Sequence, residues 1–220
     1  MRRNGAQRIA YVDIDAHHAD GVEYAFADHP DTLLISVHEI NRWPRSGALT
    51  DVGLGQVFNL PVPAGLHDDD MALIRDDVIL PLVTGFRPDA IVLQCGADAV
   101  TEDPQSRLTL SNNAHWAIVA ALRPLAPRYL VLGGGGYNPW SVGRLWSGVW
   151  ATLNGHDIPE VLPDPAQRVL SALRWDGPQR RIMPQPHWIA RLRDDPRPGP
   201  VHPDVREAAK HLIARQKIWV

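Results

Sequence analysis

Three apolar stretches that each end in glycine and polar residues constrain this chain more than anything else in it. Ile9-Ala10-Tyr11-Val12 runs into Asp13-Ile14-Asp15-Ala16-His17-His18-Ala19-Asp20-Gly21. Ala90-Ile91-Val92-Leu93 runs into Gln94-Cys95-Gly96-Ala97-Asp98, and Tyr129-Leu130-Val131-Leu132 runs into Gly133-Gly134-Gly135-Gly136-Tyr137-Asn138-Pro139. Short apolar runs bounded by turn residues read as buried strands. Open parallel α/β sheets place their ligand crevice beyond the C-terminal ends of such strands, which is where the acids, histidines and tyrosine collect here.

The first run is the richest. Side chains alternate along a strand, so a strand over 9–15 sets Asp13, Asp15 and His17 on one side and Val12, Ile14 and Ala16 on the other. Two carboxylates and an imidazole at a strand end are most of a divalent-metal site. His18, as the neighbour of His17, is expected to turn away and pack, and His38 to serve structure in the same way.

Strands are predicted at 9–15, 32–38, 57–61, 90–98 and 129–133, with helices at 21–27, 69–85, 113–125 and 140–154. That alternation predicts an α/β domain with a mainly parallel sheet. Asp68-Asp69-Asp70 reads as solvated acids at a helix start, and Trp140, Trp146 and Trp150 as a packing face. The expected organisation is a domain portion over 1–160 and a Pro- and Arg-rich arm over 161–220. The arm is expected to be irregular, packing on the domain or partly disordered, apart from a helix at 203–216.

Composition narrows the function classes. At 220 residues and 45% hydrophobic, the chain has enough apolar side chains for a real core. Its 22 basic and 25 acidic residues leave a net charge of −3, which gives no basic field for nucleic acid. No apolar run is long enough to span a bilayer, and the first residues lack the apolar core of a signal peptide. The single cysteine, Cys95, makes no internal disulfide and fits a reducing, cytoplasmic setting as a buried, inert thiol. The glycine run lacks the Gly-Lys-Ser/Thr ending of a phosphate-binding loop.

Taken together, these segments resemble the zinc-dependent histone deacetylase superfamily, and within it the bacterial acetoin-utilisation type. The matching motifs are the run from Asp13 to Gly21, Ser36-Val37-His38, Gln94-Cys95-Gly96-Ala97-Asp98 with Asp103-Pro104, Leu110-Ser111-Asn112, and Gly133 to Pro139. The resemblance covers about Ile9 to Ile158. It implies a three-layer arginase/deacetylase-like α/β fold with its N-terminal part missing, and removal of an acetyl or similar acyl group from acetyl-lysine, an acetylpolyamine or a small acylated amine.

The resemblance also assigns roles. Asp15, His17 and Asp98 match the ligands of one zinc, and Tyr137 the hydroxyl that bonds the substrate carbonyl. Asp13 and Ser36, with main-chain oxygens of Asp15, His17 and Val37, match a structural potassium site. Asp20 matches a carboxylate that orients a catalytic histidine, and Trp43, Gly135 and Gly136 match the walls of the substrate channel. Family domains carry a His-His pair upstream that activates water at the zinc, whereas the adjacent pair here, His17-His18, lies in the ligand motif. A truncated or split-gene metal-binding remnant, dependent on a missing N-terminal portion or prone to self-association, is therefore the competing expectation. An arginase-like two-metal hydrolase is weaker still, because Ala99-Val100-Thr101 follows Asp98 where further acids would be needed.

Overall fold

The computed structural model describes residues 1–177 and 180–216. Five strands form one parallel sheet: β1 (Ile9–Asp13), β2 (Thr32–Glu39), β3 (Val57–Val62), β4 (Ala90–Gln94) and β5 (Tyr129–Leu132). Their order is β3-β2-β1-β4-β5. The sheet therefore grows outward from β1 in one direction and resumes from β4 in the other. Parallel crossovers are right-handed, so this reversal sends the two sets of connections to opposite faces and opens a crevice between β1 and β4. β2 is buried along its whole length, as a central parallel strand must be. β5 forms an edge on which Leu130 and Leu132 are exposed.

All five strands fall where the sequence pattern puts them, but two end early. β1 stops at Asp13 and β4 at Gln94. Beyond β1 the chain turns on its own side chains: Asp13 Oδ1 accepts the N–H of Asp15 at 3.0 Å, and Asp15 Oδ1 accepts the N–H of His17 at 2.8 Å. Aspartates favour such local turns over ladder bonds.

The helices are α1 (Asp20–Phe26), α2 (Asp68–Ile74), α3 (Leu80–Phe86), α4 (Asn112–Leu122) and α5 (Pro139–Asn154). The single helix expected over 69–85 is divided by a widened π turn at Arg75–Ile79. Pro81 sits in the next turn without an N–H to donate, which favours such an adjustment.

The arm is more regular than its prolines imply. α6 (Asp164–Ala172) was not expected; it begins on Pro163-Asp164-Pro165, a start signal that the surrounding proline content obscures. A two-stranded antiparallel ribbon, β6 (Trp175–Gly177) with β7 (Arg180–Ile182), and α7 (Pro186–Ala190) follow. α8 spans Pro203–Gln216, the expected span. Its Val205, Ala208, Ala209 and Leu212 join the same hydrophobic cluster as Val12, Leu33, Leu60 and Leu93. The buried Arg144 of α5 further ties the arm down, donating to Arg191 O at 2.8 Å and to the Asp194 carboxylate.

The acids at the start of α2 are not simply solvated. Asp70 is fully buried, and Asp68 and Asp69 accept the backbone N–H groups of Arg197 and Gly199 at 2.9 and 3.0 Å. Only the tertiary fold brings the arm to them. Among the described residues, no helix is long and apolar enough to cross a membrane.

Candidate metal centre

Register places the site. Asp13 lies opposite Ser36 on β2 and Gln94 on β4, and Gln94 lies opposite Leu132 on β5. Three strands, β1, β4 and β5, thus end in one layer beside Ser36 of β2, and the residues just beyond them meet above it. Asp15, His17 and Asp98 converge there, their ligand atoms all within 4.8 Å of one another. His17 Nδ1 stands 3.0 Å from Asp15 Oδ1 and 3.0 Å from Asp98 Oδ2.

The cluster is held by dedicated donors. Asp15 Oδ2 accepts from Gln94 Nε2 at 2.9 Å and from the Gly135 N–H at 2.8 Å, and Asp98 Oδ1 accepts from the Ala16 N–H at 3.0 Å. Gln94 in turn accepts the Gly96 N–H at 2.9 Å. Neither glycine tolerates a side chain. A Cβ on Gly96 would fall 2.2 Å from Asp15 Oδ2, and one on Gly135 would fall 1.9 Å from Asp98 Oδ2. Gln94 and Gly96 were recognised in the sequence only as motif letters; their role in orienting Asp15 depends on the strand pairing.

Electrostatics follow from burial and these bonds. Hydrogen bonds to Asp15 and Asp98 lift His17 to about 9 against the opposing effect of burial. Burial pushes Asp98 up, offset in part by His17. Burial also works to raise Asp15, but its bonds to His17, Gln94 and Gly135 outweigh that and hold it below the usual carboxylate range. Two carboxylates and an imidazole at these separations, oriented by neutral donors, fit a divalent cation well.

Asp13 is not among the converging ligand residues. It is the last residue of β1, and its Oδ2 accepts from the Tyr11 hydroxyl at 2.8 Å. Burial raises Asp13 to about 7. Ser36, its register partner, bonds His38 Nδ1 at 3.0 Å.

The other histidines are engaged elsewhere. His18 contacts Ser46 Oγ and Glu23 Oε2, each at 2.9 Å, and turns away from the cluster as expected. His38 donates through Nε2 to Gly47 O at 3.1 Å, so its Nδ1 accepts from Ser36, and burial lowers it to about 4. The fully buried His115 holds Gly96 O at 3.0 Å, a supporting position that its helical surroundings did not reveal. Among the histidines of the described residues, only His17 bonds the Asp15 and Asp98 carboxylates.

Tyr137 is 50% exposed beside the cluster. Asp103 fixes its backbone, accepting the N–H groups of Tyr137 and Asn138 at 2.5 and 3.2 Å. Burial, then the charges of Asp98, Asp15 and Asp103, raise the tyrosine above its ordinary value, so it keeps its proton. Trp43 is exposed, with its ring 6.4 Å from that of His17. Gly136, at φ 144°, turns the loop against Ala97 and Val142. Asp20 is exposed and accepts its neighbour Gly21's N–H; no histidine bonds it among the described residues.

Fold and site together define a doubly wound α/β protein with a metal-ligand cluster at its topological switch point. Residues 1–153 match the histone deacetylase domain. The chain belongs to the histone deacetylase family. It is 34% identical over 175 residues to the acetoin utilization protein AcuC of Bacillus subtilis, covering 74% of this chain and 45% of that protein. It is 35% identical over 162 residues to histone deacetylase 3 of Oryza sativa, covering 71% and 32%. The crystal structure of a histone deacetylase homolog from Aquifex aeolicus superposes with a TM-score of 0.87 at 31% identity, over 96% of this chain and 58% of that one. The chain thus spans less than half of these two sequence relatives. The superposition confirms the expected three-layer α/β fold, and the chain covers only part of the homolog's length.

Proposed function

We propose that these residues form the zinc-holding and carbonyl-binding part of a cytoplasmic deacetylase that hydrolyses the amide of acetyl-lysine, an acetylpolyamine or a small acylated amine. The observation that carries this reading is the convergence of Asp15, His17 and Asp98 beside the loop of Tyr137. A solved homolog in complex with SAHA adds support from the family. Asp15, His17 and Asp98 would hold the zinc, which when bound polarises an acyl carbonyl and lowers the pKa of water. Gln94, Gly135 and Ala16 keep the two carboxylates aimed. The protonated Tyr137 hydroxyl donates to the carbonyl oxygen as it gains charge. Trp43 and Gly136 form channel walls, Trp43 offering an apolar face to the acyl-amine chain. Asp13 and Ser36, paired in register, would hold potassium with main-chain oxygens of Asp15, His17 and Val37. Asp20 is assigned to orienting a histidine that these residues do not supply.

No histidine is free to act as the base at this site among the described residues, since His18, His38 and His115 are all bonded elsewhere. Turnover of acetyl-lysine peptides and acetylpolyamines by these 220 residues alone is therefore expected to be very low. Adding in trans an N-terminal portion of a relative that carries its His-His pair should raise the rate by roughly 100- to 10,000-fold, the usual contribution of positioned proton transfer. Tyr137→Phe should abolish the gain. High turnover insensitive to Tyr137→Phe would overturn the proposal.

Zinc loading also has a pH signature. His17 is raised to about 9, above its unfolded value, so at pH 7 it holds a proton between the two carboxylates. A metal at Nδ1 must expel that proton. Apparent affinity should rise about tenfold per pH unit from 7 and level off above 9. Titration calorimetry at pH 7 in buffers of different ionisation enthalpy should show about one proton released per zinc; zero release would contradict the assigned ligand.

A further inference from the structure

A second set of metal-liking side chains meets where the C-terminal segment crosses the start of α2. His67 immediately precedes α2, the fully buried Asp70 lies in its first turn, and His202 immediately precedes α8. His67 Nε2 is 3.3 Å and His202 Nδ1 is 2.7 Å from the same oxygen, Asp70 Oδ2. All three ligand atoms lie within 4.8 Å of one another.

We infer that His67, Asp70 and His202 form a second metal site, a two-histidine, one-carboxylate clip for zinc or a similar divalent ion. It would fasten the C-terminal segment to α2. Ligand atoms around a tetrahedral zinc stand roughly 3.3 Å apart. The His67–Asp70 pair already has that spacing. The His202–Asp70 pair, now joined by a hydrogen bond, must open by a few tenths of an ångström as its proton leaves. The remaining bonds of Asp70 come from backbone N–H groups: His202 to Oδ1 at 2.8 Å and His67 to Oδ2 at 3.1 Å. No guanidinium or ammonium bonds it among the described residues. The ion would displace the 3.2 Å contact of His67 Nε2 with Pro200 O and the long 3.4 Å cap from the Asp70 N–H to His67 Nδ1, two weak bonds. The His202 side chain is 34% exposed, leaving a solvent path and room for water as a fourth ligand.

Another cluster, Glu102, His187 and Asp194, shows why this one is chosen. There Arg197 pairs with Glu102 and Arg144 with Asp194, so fixed cations already occupy the acids. The proposed clip joins residues 132 positions apart, and an ion that binds only the folded chain stabilises it by mass action.

The test uses the full chain carrying His17→Ala, which disables the cluster at the switch point, and zinc chloride as the probe. Calorimetric titration should find one zinc equivalent and a rise in melting temperature with added zinc. Cobalt(II) should give a tetrahedral absorption spectrum. Adding His202→Gln or His67→Asn should weaken zinc by at least about 100-fold, beyond the loss of a supporting residue. His67→Asn keeps a helix-capping side chain, so circular dichroism should report an intact fold. No zinc bound by the His17→Ala chain, or an equivalent that survives both substitutions, would overturn the inference.

Discussion

Zinc affinity at the switch-point cluster is expected to fall by at least about 100-fold in His17→Ala, measured in a His202→Gln background so that one site is counted. Removing a group that only orients a ligand typically costs about 10- to 100-fold, and a direct ligand costs more. His17 is also what separates two acids: its Nδ1 lies 3.0 Å from a carboxylate oxygen of each. Without it, Asp15 and Asp98 face one another in a buried layer, and like charge drives one of them to take up a proton. The variant therefore loses an imidazole ligand and part of a carboxylate ligand together. Elemental analysis after dialysis, followed by competition against a chelator, reads the change. Equal zinc in parent and variant would remove His17 from the site.

The second large effect comes from a single methyl group. Gly135→Ala places a Cβ 1.9 Å from Asp98 Oδ2 and 3.1 Å from Asp15 Oδ2. Asp98 cannot swing aside freely, because the Ala16 N–H and His17 hold it. The loop must retreat instead, which withdraws the Gly135 N–H from Asp15. Zinc affinity should drop about 10- to 100-fold, as for other losses of ligand support. The melting temperature should change little, since Gly135 lies on a partly exposed loop outside the hydrophobic cluster. Gly143→Ala is the control. It sits inside α5, its added Cβ meets nothing within 4 Å, and it should leave zinc unchanged while stabilising the helix by about 0.4–1 kcal/mol. Unaltered zinc affinity in Gly135→Ala would mean that the glycine loop does not form the cage.

Much of the candidate site could be read before the fold was known. The resemblance rested on acids, a histidine and a tyrosine set directly after apolar runs, and those are the positions that meet in space. Beyond Asp13 the regular strand gives way to turns in which Asp13 and Asp15 accept backbone N–H groups, yet Asp15 and His17 still converge while Ile14 and Ala16 enter the core. The tasks of Gln94, Gly96 and His115 could not be read at all. Each acts across a strand pairing or from a neighbouring helix, and no local pattern encodes such a partner.

The sequence by itself determined which segments become the strands of the parallel sheet, where most helices begin, and where α8 lies in a proline-rich arm. These are local matters: apolar periodicity, turn residues and capping act within a few positions. Tertiary structure alone decided the strand order, and with it the reversal between β1 and β4 that brings Asp15 and Asp98 together. It also turned the acids of α2 from an exposed helix start into anchors for residues more than a hundred positions away. The physical reason is common to both. A buried carboxylate must find donors, and only the packed chain determines which donors come within reach.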